Sequence, residues 1–157
     1  MRNLAKMAQS YNWVEEMASR TIVEIKRTHE MLEEVFNNHF RKYGISDAKF
    51  NVLVILYKNP EKCMMLSEIG EEMLVTKANI TGLIDRLERQ GFVRRIRDET
   101  DRRKIKAAMT EKGKRFTEEI IERYKEWSAR MVRVLSDGEK SQLIDIMGKL
   151  QRGLIEG

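Results

Sequence analysis

SEIGEEMLVTKANITGLIDRLERQGFVRRIRDETDRRKIKAAMT, residues 67–110, holds the signals that decide the fold. Ser67 is placed to cap a short helix with Ile69, Met73 and Leu74 inward, and Thr76 is placed to cap a second. In that second helix Ile80, Leu83, Ile84 and Leu87 fall at i, i+3, i+4 and i+7, so they form one apolar stripe. Gly91 stands where a left-handed residue ends a helix, and Arg89 in the preceding turn suits the helix dipole. The runs FVRRIR and KIKAAM then alternate basic with apolar or small residues on either side of a charged tip, DETDRR. Two helices followed by a two-stranded hairpin make a winged helix-turn-helix.

The side of the second helix away from the stripe carries Lys77, Ala78, Asn79, Thr81, Gly82 and Arg86. With Thr76, these side chains suit a DNA major groove. Asn makes paired hydrogen bonds to adenine and Arg to guanine, while Ala or a Thr methyl touches the thymine methyl. Gly82 costs about 1 kcal/mol relative to Ala inside a helix, and close approach to a duplex would supply the reason. Charge points the same way. Residues 77–106 hold 10 Lys and Arg against 5 Asp and Glu, a net of +5; the whole chain, 30 against 25, is also +5. The excess is therefore local, as a phosphate footprint requires. A charged hairpin by itself is usually solvated surface; behind a capped amphipathic helix it reads as part of a DNA-binding lobe.

With 157 residues, 41% of them hydrophobic, the chain has the size of one domain, 1–157, with the lobe over 46–110. Charged residues at 35% and a single Pro favour a mainly α fold with a small β wing. No stretch approaches about 18 consecutive apolar residues, and the N-terminus lacks the apolar core of a secretion signal. A lone Cys63 cannot close an internal disulfide, which suits the cytoplasm, and a buried structural thiol is expected there.

Residues 10–43 read as one long helix, with Trp13, Met17, Ile22, Ile25, Leu32, Val35, Phe36 and Phe40 recurring every three or four positions and Gly44 as the stop. Such a helix of roughly 30 residues extends about 45 Å, longer than a small domain needs. Ser46 caps the next helix, whose core FNVLVILY is apolar nearly all round and which Asn59-Pro60 ends. Residues 63–66 form a short extended candidate for a third strand beside the wing. Thr110 caps a helix whose Phe116, Ile120, Tyr124, Trp127, Met131 and Val134 approach a coiled-coil seam. Ser136 with Glu139 is a capping box, and the helix it opens carries Leu143, Ile146, Met147, Leu150 and Leu154 on one face. These stripes exceed what one small domain can bury. Residues 10–43 and 111–155 are therefore expected to pair with a second copy as an intertwined homodimer, the alternative being a monomeric bundle.

The order of these elements, with the motif from Asp85-Arg86-Leu87 through Gly91 to Asp101-x-Arg103 and Thr110-x-x-Gly113, closely resembles the multiple antibiotic resistance regulator (MarR) family of bacterial and archaeal transcription factors. The resemblance covers essentially the whole chain. It implies a sequence-specific regulator, a ligand-responsive repressor that acts as a homodimer on a pseudo-palindromic operator. A recognition helix from each protomer would enter successive major grooves, with a wing-tip arginine in the flanking minor groove. By position the tip role falls to Arg102 or Arg103, and Arg95, Arg97 and Lys104 complete the wing's cations. Asp85 would brace Arg95, and Asp101 would order the tip. Many relatives have Gly in the turn where Leu74 stands, so the turn here is expected to avoid positive φ.

The family's small lipophilic or phenolic effectors bind between dimer helices and lobe, and the resemblance offers His39, Tyr43, Phe50, Tyr57 and Met65 as lining. Aromatic and Met side chains at helical spacing are more often core. Relatives that sense oxidants do so through a cysteine near the start of the first long helix, a position Cys63 does not match. His29 and His39, ten residues apart with no HExxH, no second Cys and no Gly-rich phosphate loop, point to neither enzyme, metal nor cofactor. Two other readings share the fold. A protein-interaction scaffold would keep its partner when Arg102 and Arg103 become Ala, and a sequence-neutral architectural binder would show salt dependence with little preference between sites.

Overall fold

The computed structural model describes residues 16–60, 63–73, 77–97 and 105–156. In chain order the elements are α1 (Met17–Arg41), α2 (Asp47–Lys58), β1 (Met64–Met65), α3 (Leu66–Glu72), α4 (Lys77–Arg89), β2 (Val93–Arg97), β3 (Ile105–Met109), α5 (Glu111–Met131) and α6 (Asp137–Glu156). The architecture is the mainly α winged helix-turn-helix expected. The chain divides into two compact units, one ending at Thr117 and the other spanning Glu118–Gly157.

In the first unit, α1 runs for 25 residues, and the expected start at residues 10–15 lies outside the described residues. Its apolar side chains are graded along its length: Met17 is 78% exposed and Ile22 50%, while Phe40 is fully buried. Only the C-terminal end of α1 therefore joins this core. Gly44 ends the helix with φ +72°, a conformation cheap only for glycine. Ser46 Oγ then accepts the Lys49 N–H at 3.3 Å and starts α2. Phe50, Val52, Leu53 and Leu56 are buried, with Val54, Ile55 and Tyr57 half-buried, so nearly every side of α2 meets protein.

Two expectations fail in the next segment. Cys63 is exposed. The pairing of β1 begins one residue later, where Met64 lies opposite Ala107 and is buried, leaving the thiol outside the ladder. Ser67 is not a cap either, because α3 starts at Leu66 and the Glu68 carboxylate accepts the Met65 N–H at 2.7 Å. With Leu66 buried, the helix starts two residues earlier than a Ser67 cap would set it, and glutamate replaces the hydroxyl as partner of the first free amide.

The three strands form an antiparallel sheet in the order β1-β3-β2, so Met64 and Met65 of the expected 63–66 stretch pair with the wing. Val93 stands opposite Met109, Arg95 opposite Ala107 and Arg97 opposite Ile105. Leu66, Ile69, Ile80, Leu83, Ile84, Leu87, Phe92, Val93 and Ala107 are all buried, with the α2 side chains.

The wing and α5 are closely joined. Thr110 Oγ1 accepts the Gly113 N–H at 3.0 Å, so Thr110 does cap α5, and it donates to the Gly91 carbonyl at 2.7 Å. A Cβ on Gly113 would fall onto the Phe92 carbonyl. Phe92 and Phe116 stack with centroids 4.2 Å apart.

In the second unit Ile120 is buried and the Tyr124 and Trp127 rings lie 5.8 Å apart. The capping box is formed: Ser136 Oγ accepts the Glu139 N–H at 3.3 Å, and the Glu139 carboxylate accepts the Ser136 N–H at 2.8 Å. No residue of α6 is buried. Leu143, Ile144, Ile146, Leu154 and Ile155 are exposed large hydrophobics, Ile155 by 85%. No helix among the described residues is long and apolar enough to cross a membrane.

Candidate nucleic-acid interface

The two faces of α4 are sharply different. Ile80, Ile84 and Leu87 are fully buried and Leu83 is 6% exposed, while Asn79, Arg86 and Arg89 are exposed and Thr81 and Gly82 lie between. Gly91 ends the helix with φ +76°, and the Phe92 N–H returns to the Leu87 carbonyl at 3.0 Å, which turns the chain into β2. The Arg86 guanidinium lies beside Gly82, 3.5 Å from where a Cβ would stand. That is an ordinary contact, so packing within the described chain does not require glycine there.

Strand alternation separates Arg94, which is exposed, from Arg95, which turns toward α4; Arg97 shares the face of Arg95 but is exposed as the last residue of β2. The Arg95 guanidinium pairs with the Asp85 carboxylate. One Nη also donates to the Thr81 carbonyl at 3.2 Å, and Nε lies 3.7 Å from Glu88. The Arg95 N–H donates to the other oxygen of Glu88 at 2.8 Å. One arginine thus engages a backbone carbonyl and two carboxylates of α4, and its charge is directed inward. Arg94, which the sequence reading did not single out as a contact, is the more open cation. The period of two could have found it.

A second tie holds the C-terminal end of α4. Lys49 Nζ donates to Gln90 Oε1 at 2.9 Å, and Gln90 Nε2 donates to the Gly44 carbonyl at 3.0 Å. Burial, then the neighbouring Arg86 and Arg89 charges, push the Lys49 ammonium below the ordinary lysine range. Sequence reasoning passed over both Lys49 and Gln90.

Of the remaining expected contacts, Thr76, Asp101, Arg102, Arg103 and Lys104 lie outside the described residues, as do Leu74 and the side chains of Lys77 and Ala78. The candidate effector residues are brought together only in part. His39 sits 5.4 Å from the Tyr43 ring and 5.1 Å from Phe40, which stacks on Phe50 at 4.7 Å. A separate cavity of about 370 Å³ lies where α1 meets the start of α2, with Leu32, Glu33, Phe36 and Asp47 in its wall, and none of the five expected residues borders it. Burial first, and then the Glu33 charge, raise the Asp47 carboxyl above its ordinary range against the pull of its hydrogen bond from Asn51.

Residues 45–105 match the MarR family model. YkoM of Bacillus subtilis (strain 168), an uncharacterized HTH-type transcriptional regulator, is 36% identical over 110 residues, 69% of this chain and 70% of YkoM. The chain belongs to the MarR family. It is also similar to the HTH-type transcriptional repressor YetL of the same organism, 27% identical over 149 residues, 95% of this chain and 89% of YetL. Among solved structures, the Staphylococcus aureus MepR–DNA complex has the same fold, with a TM-score of 0.73 at 22% identity over 89% of this chain and 99% of MepR. As a MarR-family protein the chain is a transcriptional regulator with a DNA-binding winged helix, and it is not an enzyme.

Proposed function

We propose that this MarR-family regulator is a ligand-responsive repressor that works in the cytoplasm as a homodimer on a pseudo-palindromic operator. The observation that carries the reading is the division of α4 into a buried stripe and an open face, beside a wing whose Arg94 and Arg97 are exposed. In this reading Thr76, Lys77, Ala78, Asn79, Thr81, Gly82 and Arg86 meet the major groove. Arg97, Arg102, Arg103 and Lys104 meet the backbone and minor groove, and Arg95 serves with Asp85 and Asp101 as a brace. The exposed apolar residues of α1 and α6 support a lobe at 46–110 carried by dimerisation helices at 10–43 and 111–155. The repressor name of YetL supports the sign of regulation. The family resemblance, with His39, Tyr43, Phe50, Tyr57 and Met65 as candidate lining, is what supports a small-molecule effector.

Selection of bound fragments from genomic DNA at moderate salt, with and without small lipophilic and phenolic compounds, tests the reading. The expected result is a two-fold symmetric site with half-sites about 10 bp apart. For roughly 8–10 phosphate contacts, log K falls against log salt with a slope of about −7 to −9. Binding without sequence preference, or protection without two-fold symmetry, overturns the repressor reading.

A further inference from the structure

Gln90 follows the last residue of α4, and its side chain is the middle link of a three-part clasp. It accepts from the Lys49 ammonium and donates to the carbonyl of Gly44, partners 41 and 46 residues away in sequence. Gly44 is held at φ +72° in the corner between α1 and α2, and Lys49 stands in the first turn of α2. The amide uses both ends, one as acceptor and one as donor. Glutamate would lose the second bond, and a longer cation would repel Lys49. The Arg95 brace grips the middle of α4 from the wing side, at Thr81, Asp85 and Glu88. The clasp grips the far end from the α1–α2 corner. The buried stripe seats the helix, and the two anchors, one from the wing and one from the α1–α2 corner, fix its tilt.

We propose that Gln90 is the positioning residue of the recognition helix: the Lys49–Gln90–Gly44 clasp sets the angle at which α4 meets DNA and ties that angle to the α1–α2 corner. This rests on the reading of α4 as the helix that enters the groove. The clasp also meets the cavity, because Ser46, Asp47 and Ala48 line it and immediately precede Lys49. A group that displaces the start of α2 therefore moves the ammonium that holds Gln90. Lys49 lies close enough to Arg86 and Arg89 to feel their charge, so it has a rival role as a direct phosphate ligand, and the test separates the two.

A duplex selected from randomised DNA on the wild-type full-length protein serves as the probe, with affinity measured across a salt series well below the melting temperature. Gln90→Met keeps the length of the side chain and removes both hydrogen bonds, and it is expected to weaken binding about fivefold, the loss of roughly one net hydrogen bond. The slope of log K against log salt stays unchanged in Gln90→Met and in Lys49→Met, and the double variant is no weaker than Gln90→Met alone, because that change already breaks the whole clasp. Arg86→Ala, the comparison for a residue on the DNA face, changes specificity or lowers the slope by about 1. Wild-type affinity in Gln90→Met overturns the proposal, even if the variant melts earlier. A slope reduced by about 1 in Lys49→Met makes Lys49 a phosphate ligand and also overturns it. If Gln90→Met fails to fold, Gln90→Ala, which removes both bonds and adds no charge, carries the test with the same two criteria. Failure of wild type to select any duplex refutes the DNA reading of α4 itself, an outcome distinct from these.

Discussion

Arg95 in β2 and Asp85 in α4 form an ion pair that bolts the wing to the helix in front of it. Their side chains are 26% and 43% exposed, so solvent screens the pair and its own contribution is about 1 kcal/mol or less. The larger effect is geometric, since the same guanidinium also engages the Thr81 carbonyl and Glu88.

Asp85→Ala is accordingly expected to lower stability by about 1 kcal/mol, a drop of roughly 2–4 °C in melting temperature. It is expected to weaken DNA binding by more than that loss alone would, through a misplaced wing. Thermal melting and fluorescence anisotropy on a labelled duplex check this. Wild-type DNA affinity in Asp85→Ala would show that the wing needs no brace.

Gly113→Ala should be among the most damaging single substitutions in the chain, at about 3 kcal/mol, because the added methyl overlaps the Phe92 carbonyl, which has no side chain to move aside. Gly138→Ala makes the contrast. Nothing stands within 4 Å of its Cβ position in α6, so the helix gains up to about 1 kcal/mol from the better helix former. Denaturant melts of the two variants, read against wild type, should move in opposite directions.

Asp47 gives a pH dependence of definite sign. Its carboxyl is raised in the folded chain, by burial first and by Glu33 after it, so the folded state binds the proton more tightly than the unfolded state. Its contribution is most favourable below the ordinary aspartate pKa and is lost as pH rises through the folded value. The stability of wild type relative to Asp47→Asn should therefore increase as pH falls from 6 toward 4. A difference that stays flat, or runs the other way, would contradict the assigned environment.

Ile146→Glu with Leu154→Glu tests the pairing of chains. Both side chains are exposed, by 63% and 73%, so in a monomer the change costs little. In the proposed dimer it buries charge, and sedimentation equilibrium should find wild type as a dimer and the variant as a monomer with DNA binding much reduced. A variant that still sediments as a dimer would place the interface elsewhere.

What the sequence revealed was what local pattern encodes. The stripe of Ile80, Leu83, Ile84 and Leu87 is buried as its spacing says, Gly44 and Gly91 take the left-handed conformation at the helix ends they mark, and Ser46, Thr110 and the Ser136–Glu139 box cap as read. Errors came where two local signals compete. At the start of α3, Ser67 and Glu68 are both able to satisfy an amide, and burial of Leu66 decides between them. Cys63 was misjudged because one residue of strand register separates a buried position from an exposed one. The Lys49–Gln90–Gly44 clasp was invisible for a different reason. Its members belong to three separate elements, and only the packing of α2 against the end of α4 brings them within reach.

The exposed apolar surface of α6 has a consequence for the cell rather than for the fold. With Ile144, Ile146, Leu154 and Ile155 left in water by a lone chain, the proposed pairing makes occupancy of the operator a steep function of how many copies are synthesised. In the dilute regime, halving the supply cuts the paired species about fourfold by mass action. Gene dosage would then act on this regulator as strongly as a modest inducer does.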